Sequence, residues 1–136
     1  MQALVVRAGR VLLVRRDRDP GKGRWDLPGG FLDEGEDPVA GLRRELFEET
    51  GLEIEPVEYL GVFVEPYFNR YVLGLTWLVS AVGDARPADD VAELQWFAAD
   101  GLPAADEFQF AHHPRLLAAW AEQVGPPEPQ VEPIGP

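Results

Sequence analysis

The chain has 136 residues, with 24 acidic and 12 basic side chains, a formal charge of −12 and no cysteine. That length fits one domain with a core of its own. The missing cysteines exclude a disulfide framework and a cysteine-based zinc site, and the acidic balance argues against general nucleic-acid binding.

Residues 3–7 and 11–14 are apolar and rich in β-branched side chains, with Ala8-Gly9-Arg10 as a hairpin turn between them. The same opening stretch is too short and too charged to span a membrane and lacks the pattern of a secretory leader. No membrane partner is expected, and a cysteine-free chain is compatible with the cytoplasm, the location expected. A polar loop follows, with Pro20, Gly21 and Gly23 as breakers. Residues 25–27 form a short extended piece entering the turn Pro28-Gly29-Gly30, and Phe31-Leu32 is expected to continue the sheet.

The next segment reads as a helix. Asp37 suits the N-cap, Pro38 the first helical position and Gly51 a left-handed stop. Val39, Leu42 and Leu46 give its buried stripe. Residues 53–64 and 71–82 read as strands joined through Tyr67-Phe68-Asn69-Arg70, and residues 93–98 as a further strand. Residues 113–124 read as a second helix with Leu116, Leu117 and Trp120 as core candidates. These elements predict a single α+β domain over residues 1–124. Residues 125–136, dense in proline, are expected to form a disordered or surface-laid tail.

Helix geometry singles out three acids. Glu45, Glu48 and Glu49 stand at i, i+3 and i+4, which places them on one face. Unpaired carboxylates this close repel one another, so a cation is expected between them. Hard oxygen ligands suit Mg²⁺, with Mn²⁺ as the substitute. The other explanation for a single such acid is a charged, solvated helix face.

The spacing of Gly30, Glu36, Arg44-Glu45, Leu46, Glu48-Glu49, Gly51 and Leu52 resembles the Nudix box, with every fixed position filled. The resemblance implies an α/β/α sandwich around a central mixed β-sheet. It also implies Mg²⁺-dependent cleavage of a diphosphate in a nucleoside diphosphate derivative. Within that family the acids matching Glu48 and Glu49 ligate metal, and the one matching Glu45 ligates metal or acts as base. The carbonyl matching Gly30 joins the metal, Glu36 braces the loop, and Arg44 orients a catalytic glutamate. Some members draw another carboxylate from a late loop, where Asp89, Asp90 and Glu93 fall. Glu65, beside Pro66, is a weaker candidate of this kind.

ADP-ribose, or a similar nucleotide sugar or dinucleotide, is the first substrate expectation, resting on Pro66 downstream of the box. A nucleoside triphosphate pyrophosphatase of the pool-cleaning type is one alternative, and a nucleotide sensor without turnover is another. Family members often pair as homodimers, though no exposed seam in the sequence identifies such a contact. Arg15, Arg16, Lys22 and Arg24 flank the box and are candidates for phosphate, while Trp25 is a candidate for stacking on a base. Surface charge and ordinary packing are the competing roles for these residues. Packing is favoured for Tyr67, Phe68 and Tyr71. Phe108, Gln109 and Phe110 are candidates to reach a base from the late loop. His112-His113 is not expected to be a metal pair, because adjacent residues at a helix start face different ways.

Overall fold

An apolar run that does not alternate with polar residues marks a strand covered on both faces. The computed structural model describes residues 1–124 and shows that arrangement. Strands β1 (Gln2–Arg7) and β2 (Arg10–Arg16) each send alternate side chains into two separate cores. Ala3, Val5 and Leu12 join Leu42 and Leu46 of helix α1 (Pro38–Thr50). Leu4, Val11 and Leu13 join Leu117 of helix α2 (His112–Gln123). The result is the expected α/β/α sandwich with its mixed sheet in the middle.

The remaining strands are β3 (Trp25–Asp26), β4 (Glu53–Tyr67), β5 (Arg70–Val82) and β6 (Val91–Ala98). The sheet runs β3-β2-β1-β5-β4, and β6 pairs with β2. Among the strand pairs of the described residues only β1 and β5 run parallel; the other pairs are antiparallel. Among the described residues no helix is long and apolar enough to cross a membrane. The proline-dense segment 125–136 lies outside the described residues.

Three expectations need correcting. Phe31-Leu32 does not continue the sheet: after one bridge from Gly29 to Gln2 the chain leaves it, and both side chains are exposed. Strand β4 runs on through Pro66, which is tolerated because β4 is an edge strand. It turns at Phe68-Asn69, where Phe68 adopts φ 57°. Helix α2 begins at His112, one residue early.

Candidate active site

Strand β1 changes partner along its length. Residues 2–5 pair with β5, and only Val6 and Arg7 pair with β2. In the gap where β1 parts from β2 the glycine turn inserts. The Ala3 N–H donates to Pro28 O at 2.9 Å, and the Gly30 N–H donates to Met1 O at 3.0 Å. The Gly30 carbonyl accepts from the Met1 amino group at 2.6 Å. This places Gly30 directly against α1. A Cβ on Gly30 would lie 2.3–2.6 Å from the Glu45 carboxylate, so only glycine allows this approach. Gly30→Ala should therefore displace Glu45 and lower kcat about 10²-fold. Its melting temperature should stay close to that of the wild type, because the obstacle is the end of a flexible side chain. A steady-state assay beside a thermal melt checks both.

Helix α1 sets out the acids as its caps require. The Asp37 carboxylate accepts from the Val39 and Ala40 N–H groups at 3.1 and 3.2 Å, and Gly51 closes the helix at φ 75°. Glu45, Glu48 and Glu49 all line one cleft of about 540 Å³, together with Gly29 and Gly30. They are not equivalent. Glu48 is exposed, whereas Glu49 turns inward and accepts the Gly29 N–H at 2.7 Å. Burial pushes the Glu49 carboxyl up to about 8, the Gly29 N–H opposes that rise, and Glu45 adds to it. Burial also raises Glu45 above the ordinary carboxylate range, against the hydrogen bond from Arg44.

Arg44 organises this face. Its Nε and Nη2 hold both oxygens of Glu36 at 2.7 and 2.9 Å. Its Nη1 donates to Glu45 Oε1 at 3.0 Å and to Glu48 Oε2 at 3.2 Å, taking one oxygen of each. The Arg44 bonds draw Glu36 down to about 2 and raise the guanidinium's own pKa. Glu36 also accepts the Asp33 N–H at 3.0 Å, so the acidic loop is tied to the helix through one arginine.

The carboxylates fit a hard divalent ion. Two of the three, Glu45 and Glu49, are disfavoured as anions by burial and by a neighbouring glutamate, and a dication offsets that penalty. Glu45, Glu48 and Glu49 would hold the ion, with the Gly30 carbonyl close by.

The opposite wall of the cleft is built from residues far apart in the chain. Asp26 and Glu65 are buried acids that line the same cleft. Two imidazoles close on Glu65. His112 Nδ1 contacts Glu65 Oε1, and His113 Nε2 lies 3.6 Å from the same oxygen. The expectation that the two histidines face apart is thus corrected: their rings stand 4.5 Å apart, because α2 starts against β4 and both side chains turn toward it. Burial lifts Glu65 to about 7 and lowers His112 to about 4.

Several expected ligand-binding residues sit elsewhere, for one geometric reason. Trp25, Arg15 and Glu93 are cross-strand neighbours on β3, β2 and β6, so they share a face. Arg15 stacks over Trp25 at 4.5 Å and pairs with Glu93 at 2.9 Å, outside the cleft. Trp25 itself is buried against Phe97. Their chain neighbours Arg16 and Asp26 face the other way and line the cleft. Arg24 donates to the Asp106 and Phe108 carbonyls, and Lys22 is exposed on its loop. Asp89 and Asp90 reach the cleft, with Asp90 paired to Arg18 at 2.5 Å. Phe110 lines the cleft, whereas Phe108 packs in the α2-side core.

A family model described as NUDIX domain matches residues 2–120. The chain belongs to the NUDIX family. An ADP-ribose pyrophosphatase of Methanocaldococcus jannaschii is 30% identical over 106 residues, which cover 76% of this chain and 63% of that protein. An oxidized purine nucleoside triphosphate hydrolase of Mus musculus is 34% identical over 105 residues, covering 76% of this chain and 67% of that one. The crystal structure of a MutT NUDIX hydrolase from Burkholderia pseudomallei superimposes with a TM-score of 0.76 at 32% identity, covering 91% of this chain and 95% of that one. The chain thus spans about three fifths of the archaeal relative's length. The Nudix match takes in the whole box and the strands that carry both walls of the cleft.

Proposed function

We propose that this Nudix chain is a Mg²⁺-dependent pyrophosphohydrolase acting on nucleoside diphosphate derivatives, with ADP-ribose or a similar nucleotide sugar or dinucleotide as substrate. The observation that carries this reading is the gathering of the box glutamates along one wall of a cleft large enough for a nucleotide. Bound there, Mg²⁺ would polarise the diphosphate and offset the negative charge that develops at phosphorus. Glu45, Glu48 and Glu49 would hold the ion, and Arg44 sets the directions of Glu45 and Glu48. Glu45 and Asp90 are the candidates to accept the proton of the attacking water. Water adds to one phosphorus and the phosphoanhydride P–O bond breaks, so ADP-ribose yields AMP and ribose 5-phosphate.

Phe31 and Tyr67 supply a place for the base. They meet edge to face at 5.4 Å and line both the cleft and an adjoining hollow of about 650 Å³. Phe31 is 60% exposed, so its ring is free to stack. Phe31→Ala should raise KM about tenfold with little change in kcat, given roughly 1–3 kcal/mol for one stacked base. An unchanged KM removes the base from this shelf.

A second reading, hydrolysis of a nucleoside triphosphate to its monophosphate and pyrophosphate, draws on the 34% identity to the mouse enzyme. A nucleotide panel with Mg²⁺ separates the two by their products. ADP-ribose should be cleaved fastest, and Glu48→Gln should lower that rate roughly 10²- to 10³-fold. Pyrophosphate release as the dominant activity supports the second reading. Binding without any turnover makes the protein a sensor and ends the enzymatic reading.

A further inference from the structure

We propose that Glu65, His112 and His113 form a second metal site, for a transition ion of the Zn²⁺ class, separate from the box carboxylates. Each residue offers one ligand atom, and the three atoms lie within 4.8 Å of one another. His113 Nε2 and Glu65 Oε1 are 3.6 Å apart. Two ligands of a tetrahedral ion with bonds of about 2.0–2.2 Å stand at close to that separation.

The groups are desolvated and contact chiefly one another, with Asp26 beside His113 and Gln2 beside Glu65. Glu65 is 3% exposed and His113 is fully buried. Glu65 Oε1, both His112 nitrogens and His113 Nε2 are buried without a hydrogen bond. Buried polar atoms are almost always paired, so one such atom from each of three residues, gathered within 4.8 Å, calls for a shared partner. An ion between them would supply it.

The surroundings also fix the rings. Asp26 Oδ1 lies 3.1 Å from His113 Nδ1, which leaves Nε2 directed at Glu65. Arg16 holds the other Asp26 oxygen at 3.1 Å. A carboxylate behind a ligating histidine is the usual support for such an ion. Phe63 stacks on His112 at 4.4 Å, and Phe110 meets His113 edge-on at 5.3 Å. Two imidazoles and one carboxylate suit Zn²⁺ rather than Mg²⁺, which takes oxygen. Three protein ligands leave a fourth position, and Glu65 also lines the cleft wall.

The test is Co²⁺ titration of the untagged full chain, stripped by chelator and kept in excess Mg²⁺ to fill the box site. One equivalent of Co²⁺ should bind with the visible bands of a four-coordinate ion, and Zn²⁺ should displace it. His112→Asn and Glu65→Gln should each weaken binding at least about tenfold, since losing a ligand exceeds losing an outer partner. Glu48→Gln should leave the titration unchanged. Circular dichroism screens each variant for folding, and either variant alone suffices. Binding unchanged in a folded His112→Asn or Glu65→Gln protein overturns the site. So does the absence of Co²⁺ binding in the wild type, which would make the cluster a hydrogen-bonded core network.

Discussion

Glu49→Gln is expected to reduce hydrolysis about 10³-fold while leaving the metal-free protein at least as stable as the wild type. The reason is that Glu49 does not point freely into solvent. It lies beneath Gly29, where burial pushes its carboxyl from the ordinary 4.5 up to about 8. The folded state therefore binds the extra proton more tightly than the unfolded chain does. The stability that this proton confers is present below pH 4.5 and is lost progressively as pH rises to about 8. At about 1.4 kcal/mol per unit the ceiling is about 5 kcal/mol, and relaxation and water lower it. Glutamine accepts the same Gly29 N–H without a charge. Metal-free wild type should thus lose melting temperature between pH 5 and 8, and the variant should lose less. Added Mg²⁺ should restore the wild type and not the variant. Superimposable pH profiles would show that Glu49 carries no buried charge.

Arg44→Lys should lower activity about 10- to 100-fold and raise the Mg²⁺ concentration needed for half-maximal rate. Lysine keeps the charge but cannot hold Glu36 with two parallel bonds while also reaching Glu45 and Glu48. The acids would then drift from the positions the ion needs. A purely structural role for Arg44 predicts a lower melting temperature with an unchanged Mg²⁺ dependence, so a metal titration of the rate separates the two.

Helix α1 is legible almost residue by residue. A cap, a proline, an apolar stripe and a left-handed glycine are local signals, and three acids at helical spacing fall on one face whatever surrounds them. The sandwich follows from the resemblance of the box, and the unbroken apolar runs of β1 and β2 are the physical reason both faces of the sheet are covered. What sequence leaves open is which face of a short strand meets the cleft. Trp25 and Asp26 alternate on β3, and the cleft takes the acid, not the aromatic ring. An aspartate between Trp25 and Leu27 in an extended segment is the one local hint, since a buried acid needs a partner. The Glu65–His112–His113 cluster joins β4 to a helix more than forty residues later, and no local pattern brings those residues together. Phe31 reads as one more β-former, and only its exit from the sheet exposes it.

Mn²⁺ binding followed by electron paramagnetic resonance, with Mg²⁺ as competitor, tests the carboxylate site most directly. Wild-type protein should bind Mn²⁺ that Mg²⁺ displaces, and Glu48→Gln and Glu49→Gln should each weaken that displaceable binding at least about tenfold. Identical isotherms for the three folded proteins would contradict a metal centre on these glutamates.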